Sequence, residues 1–135
     1  MSEYLERAVQ LRAIASPHYN CAQAVLIPFA EKAGADEETL FGVAMNFGGG
    51  MKRGSVCGAI TGGLMALGLF GLDDKETVGT YYDTLKERHS GMTDCAELLK
   101  ASVQNGIPRT EHCNGLVFEC VTLVEELLRK NGKID

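Results

Sequence analysis

The sequence predicts an all-α fold. It reads as a single-domain helical bundle over residues 1–135, with about six or seven helices around a glycine-rich central one. Three observations carry this reading. Apolar residues recur at i, i+3 and i+4 along most of the chain, and capping residues open those stretches while glycine or proline closes them. No segment sustains the alternation of a half-buried strand. A chain of 135 residues is long enough for one core, and 45% hydrophobic with 23% charged residues is the balance of a folded domain. No linker, repeat of fixed period or low-complexity segment interrupts it.

The first predicted helix runs from Ser2 to Ala15, with Tyr4, Leu5, Ala8, Val9, Leu11, Arg12 and Ala15 near helical spacing, and stops at Ser16-Pro17. The second opens at Asn20 and carries Ala24, Val25, Ile27, Phe29 and Ala33 to a stop at Gly34. Pro28 inside it predicts a kink. The third runs from Asp36 to about Phe47, closed by Gly48-Gly49-Gly50. The fourth is the uncharged stretch Val56–Leu72, in which Gly54, Gly58 and Gly62 form a GxxxGxxxG pattern. Its 17 residues lie at the short limit for a bilayer span, so it is expected as the buried centre of the bundle. The fifth covers Lys75 to His89, and a short sixth follows Thr93 and fades by Asn105-Gly106, before Pro108. The seventh runs from Thr110 to Lys130. Leu116, Val117, Cys120, Leu123, Val124 and Leu127 form its apolar stripe, with Glu119, Glu125 and Glu126 placed away from it.

Charge and termini exclude several classes. The net charge is −5, with no basic footprint for nucleic acid and no Lys/Arg run for an anionic membrane. The opening MSEYLERAVQLRA lacks the apolar core of a signal peptide, so the expected location is the cytoplasm, where thiols stay reduced. No GxSxG, HExxH, P-loop or GxGxxG is present, which disfavours the common hydrolase and nucleotide-binding readings.

The chemistry therefore rests on five cysteines. Cys21 follows Asn20, Cys57 follows Ser55, Cys95 follows Thr93 and Cys113 follows Thr110, so each is expected in the first turn of a helix. Unpaired amides and the helix dipole there favour a thiolate. Lys52 and Arg53 before Cys57, and His112 beside Cys113, would add to the effect. Cys120 lies mid-stripe, seven residues after Cys113. Two turns of helix separate that pair by about 10 Å, too far for a disulfide. Cys120 is thus expected in the core. No CxxC occurs, which argues against a zinc ribbon or thioredoxin-type motif. His18, three residues before Cys21, is a base or ligand at most, and His89 ends a helix.

These residues resemble a known family. Cys57-Gly58-Ala59-Ile60-Thr61-Gly62 reads C-G-A-x-x-G, preceded by Cys21 in NCAQAV and followed by Cys95 in CAELL and then Cys113. The order is similar to that of the redox-active proteins named for a C…GCAxxG…C…C pattern, over nearly the whole chain. The resemblance implies a bacterial or archaeal protein, a helical fold and a redox role, with Cys21, Cys57, Cys95 and Cys113 as its cysteines.

Two functions compete. In the first, Cys21, Cys57, Cys95 and Cys113 form the site of an oxidoreductase or electron carrier. Either a thiolate, with Cys57 favoured, attacks a disulfide or oxidant and a second cysteine resolves it, or the same four hold an iron–sulfur cluster or zinc. In the second, the chain is a helical adaptor whose cysteines only pack. Neither the redox partner, whether a protein or a small thiol, nor an oligomeric assembly is specified by the sequence.

Overall fold

The computed structural model describes all of residues 1–135, as eight α-helices and no strand. They are α1 (Glu3–Ala13), α2 (Cys21–Leu26), α3 (Ala30–Ala33), α4 (Glu37–Val43), α5 (Gly58–Leu69), α6 (Lys75–Arg88), α7 (Cys95–Gln104) and α8 (Arg109–Lys130). Side-chain caps set several of the starts. Ser2 accepts from the Leu5 amide, Asp36 from Thr39 and Asp74 from Thr77.

Pro28 does more than kink the second predicted helix. It has no N–H to donate, and its ring would collide with the carbonyl one turn back. The chain passes through a 3₁₀ turn, Ile27–Phe29, which divides the segment into α2 and α3. The third predicted helix ends early, at Val43 rather than Phe47. The reason is a side chain from elsewhere: Asn20 Nδ2 donates to the carbonyls of Ala44 (3.3 Å) and Met45 (3.0 Å). These carbonyls are satisfied without further helix.

The glycine-rich helix is shorter than expected. Gly54 lies outside it, in a left-handed turn where Gly49, Gly50, Met51 and Lys52 all have φ near +60°. Val56 is held in an isolated antiparallel bridge with Asp94, so α5 starts only at Gly58. At 12 residues it spans about 18 Å. No helix is long and apolar enough to cross a membrane.

α5 is nonetheless the centre of the packing, against α2 on one side and α8 on the other. Its glycines are what permit this. A Cβ on Gly62 would sit 2.6 Å from the Ala22 carbonyl oxygen and 3.0 Å from Ala22 Cα. The backbones of α2 and α5 are in direct contact there, and Tyr81 of α6 takes the space over Gly63, its hydroxyl donating to the Ile60 carbonyl at 2.9 Å. α8 touches α1, α2, α5, α6 and α7. Thirty buried apolar residues form one cluster, and Cys120 is within it as the stripe predicts. One expectation for α8 fails. Glu125 is buried, not on the polar face, because Ser2 Oγ donates to one carboxylate oxygen and Arg129 to the other at 2.6 Å.

Candidate active site: a cleft lined by four cysteines

The residues that place Cys21 begin with Asn20. Asn20 Oδ1 accepts from the Gln23 amide and Gln23 Oε1 accepts from the Asn20 amide, both at 2.8 Å, a reciprocal capping box. Gln23 is buried, and its remaining donor reaches the Phe41 carbonyl at 2.8 Å. Cys21 is therefore the first residue of a rigidly started helix, as the sequence predicts.

Cys57 and Cys95 are placed together by the bridge at Val56 and Asp94. The Cys57 amide donates to the Thr93 carbonyl at 2.8 Å, and the Cys95 amide to the Ser55 carbonyl at 2.7 Å. Cys57 is the N-cap of α5 itself, and Cys95 is the first residue of α7 behind Asp94. The left-handed turn is pressed against them. A Cβ on Gly50 would come within 2.8 Å of Cys95 Cβ, so only glycine leaves room. Cys113 departs from expectation. α8 starts at Arg109, with Pro108 as N-cap, and Cys113 is its fifth residue, beyond the first turn.

All four cysteines nevertheless line one cleft of about 320 Å³. Cys57 is buried at its floor, while Cys21, Cys95 and Cys113 are half-buried. Arg12, His18, Arg109 and His112 line it too, with Gly49, Gly58 and Leu116. All five cysteines are free thiols.

Electrostatics distinguish the four. Cys113 is the acidic thiol, held down to about 6. The chief cause is the neighbouring Cys21 thiol; burial opposes it, and the guanidinium groups of Arg12 and Arg109 add to the lowering. Cys21 is in turn pushed strongly up by Cys113, and burial adds to this. Burial pushes Cys57 up to about 11, although the Ile60 and Ala59 amides at the start of α5 donate to its sulfur. Cys95 is also raised, first by burial and then by Cys113. The expected stabilisation of thiolates by helix starts is thus present at Cys57 and overcome by desolvation. Lys52 and Arg53 lie exposed on the left-handed turn.

Arg12 and Arg109 are the charged residues of the cleft that the sequence did not single out. Arg12 donates to Asn114 Oδ1 at 2.7 Å and to the Tyr19 carbonyl at 2.8 Å, which fixes its charge between α1 and α8. An arginine within the apolar stripe of the first helix was the available signal. Arg109 precedes Cys113 by four residues, one turn on the same helix face. His112 is bound to Ser102, with Nδ1 to Oγ at 2.5 Å, and burial lowers its pKa. His18 is exposed at the cleft, and His89 caps α6 and meets Glu119 at 2.8 Å.

The cysteines share a cleft but do not form a ligand cage. No group of three or more His, Cys, Asp or Glu side chains is disposed to hold a metal ion. An iron–sulfur cluster or zinc ion on Cys21, Cys57, Cys95 and Cys113 does not fit these positions as they stand.

The all-helical bundle thus brings free cysteines from α2, the start of α5, α7 and α8 to one opening. Residues 19–127 match the model of the family described as "Putative redox-active protein (C_GCAxxG_C_C)", and the chain belongs to that family. No curated protein and no solved structure matches the chain.

Proposed function

We propose that this protein is a dithiol redox protein in which Cys113 is the attacking thiolate and Cys21 the resolving thiol. The observation that carries the reading is that Cys21 and Cys113 line one open cleft beside Arg12 and Arg109, where the neighbouring Cys21 thiol is the chief cause holding Cys113 acidic. Cys113 thiolate attacks one sulfur of a disulfide R–S–S–R, forming Cys113–S–S–R and releasing one thiolate RS⁻. Cys21 gives up its proton to solvent as it attacks the Cys113 sulfur, forming the Cys21–Cys113 disulfide and releasing the second RS⁻. The protein loses two electrons and the substrate disulfide gains them. Run backwards, the same steps make the protein an oxidant of dithiols.

In this reading Cys113, rather than the Cys57 that the sequence favours, makes the first attack, since burial keeps Cys57 protonated whereas Cys113 is already largely thiolate at pH 7. We place Cys57 and Cys95 as further thiols of the same cleft, able to exchange with the Cys21–Cys113 disulfide once it exists. The adaptor reading is less favoured, since three of the four cysteines are half-buried and line an opening instead of filling the core. Thiols that cycle in this way suit a reducing compartment such as the cytoplasm.

The test is oxidation of the reduced protein by a stoichiometric disulfide, followed by thiol counting and peptide mapping. The expected result is the loss of two thiols and a cross-link between the Cys21 and Cys113 peptides. A thiol count that stays at five, or a cross-link that excludes Cys113, overturns the reading.

A further inference from the structure

We propose that the four-cysteine cleft selects small anionic disulfides, with Arg12 and Arg109 as the groups that recognise the substrate's negative charges. The inference rests on the dithiol reading above and adds the substrate class. Its basis is the composition of the lining. The chain has 18 acidic residues and a net charge of −5. Yet no Asp or Glu lines this cleft, whereas Arg12, His18, Arg109 and His112 all do. The two guanidinium groups carry more positive charge than the Cys113 thiolate cancels, and with no carboxylate in the lining they draw anions to the hollow.

The two arginines serve different depths. Arg12 is half-buried and tied to Asn114 and the Tyr19 carbonyl, so its charge is fixed beside the sulfur pair. Arg109 is exposed and one turn from Cys113, and no side-chain carboxylate pairs with it. A guanidinium at a concave site is suited to hold a carboxylate through two parallel hydrogen bonds. The volume of about 320 Å³ is at the lower end of the range for small-molecule pockets. Cys113 is half-buried within it, which favours a slim substrate over the disulfide of a folded partner.

In the step itself, one carboxylate of the substrate pairs with Arg109 as the Cys113 thiolate attacks the nearer sulfur. The leaving thiolate departs with the second carboxylate, and Cys21 then displaces the first half as a second anionic thiolate. One disulfide is consumed, one protein disulfide forms and two thiolates leave.

The experiment compares three symmetrical disulfides at pH 7 and low ionic strength: dithiodipropionate as dianion, bis(2-hydroxyethyl) disulfide as neutral, and cystamine as dication. Each rate of thiol loss is divided by the rate of the same reagent with 2-mercaptoethanol, which removes intrinsic reactivity. The dianion is expected to exceed the neutral reagent by at least about tenfold and the dication to be slowest, with the preference collapsing near 1 M salt, where the screening length is about 3 Å. Arg109→Gln, at an exposed position, is expected to cut the dianion-to-neutral ratio by about fivefold or more, whatever it does to the absolute rates. Equal normalised rates for all three, or a fastest reaction with cystamine, overturn charge selection and leave the dithiol reading standing. A protein inert to all three overturns both.

Discussion

Replacing Cys21 by alanine removes the principal cause of the acidity of Cys113. In the wild-type protein the Cys113 thiol has a pKa of about 6, with the Cys21 hydrogen bond as the largest contribution. At pH 7 that makes Cys113 roughly nine-tenths thiolate, against a few per cent for an unperturbed cysteine. A hydrogen bond to a charged group is worth about 1.5–3 kcal/mol, and one pKa unit corresponds to about 1.4 kcal/mol. Losing the Cys21 donor should therefore raise the pKa of Cys113 by roughly one to two units, to about 7–8. Arg12 and Arg109 oppose the rise, and burial of the sulfur favours it. The assay is the pH dependence of iodoacetamide labelling of Cys113, followed by mass spectrometry of its peptide. Wild type should show a midpoint near 6 and Cys21→Ala a midpoint moved upward. Cys21→Ser, which keeps an O–H donor, should fall between them. A wild-type midpoint near 8.5, or one that stays put in Cys21→Ala, refutes the argument that the pair shares its proton.

Two further outcomes follow from burial and packing. The folded chain keeps a proton on Cys57 up to about 11, whereas the unfolded chain releases it from about 8.5. Between those values the unfolded state binds fewer protons, so stability should fall as pH rises, by about 1.4 kcal/mol per pH unit for this thiol. Cys21, Cys95 and Cys120 are raised as well, so in urea unfolding from pH 8.5 to 11 wild type should fall more steeply than this single-thiol slope, and Cys57→Ala should be shallower than wild type by about 1.4 kcal/mol per pH unit; parallel slopes would contradict it. Within α5, Gly62→Ala would force a methyl onto the Ala22 backbone at 2.6 Å, while Gly68→Ala meets nothing within 4 Å. Melting should show Gly62→Ala destabilised by about 1–3 kcal/mol and Gly68→Ala stabilised by up to about 1 kcal/mol; shifts of the same sign would refute the close approach of α2 and α5.

Local signals were legible wherever the chain answers to its own neighbours. Asn20 and Gln23 form the capping box that their spacing suggests, the α8 stripe buries Cys120, and four cysteines placed near helix starts do meet in one cleft. What sequence could not show depends on distant partners. The end of α4 is decided by Asn20, 24 residues before Ala44. Glu125 reads as solvated until Ser2, 123 residues away, is seen to donate to it. What separates the thiols electrostatically is distant as well. A helix-start argument treats Cys57, Cys95 and Cys113 alike. Burial, Arg12 from α1 and the Cys21 sulfur from α2 decide among them.

Because α8 is packed on five other helices, it has little freedom to shift alone. Cys113 rides on that spine, and its partner sits on a short helix pressed backbone to backbone against α5. The two sulfurs line the same cleft, so a disulfide between them would join side chains on elements that packing already holds in place. Oxidised and reduced forms should then share one outline. A partner that distinguishes the two forms would then have to sense the sulfurs in the cleft rather than a change of shape.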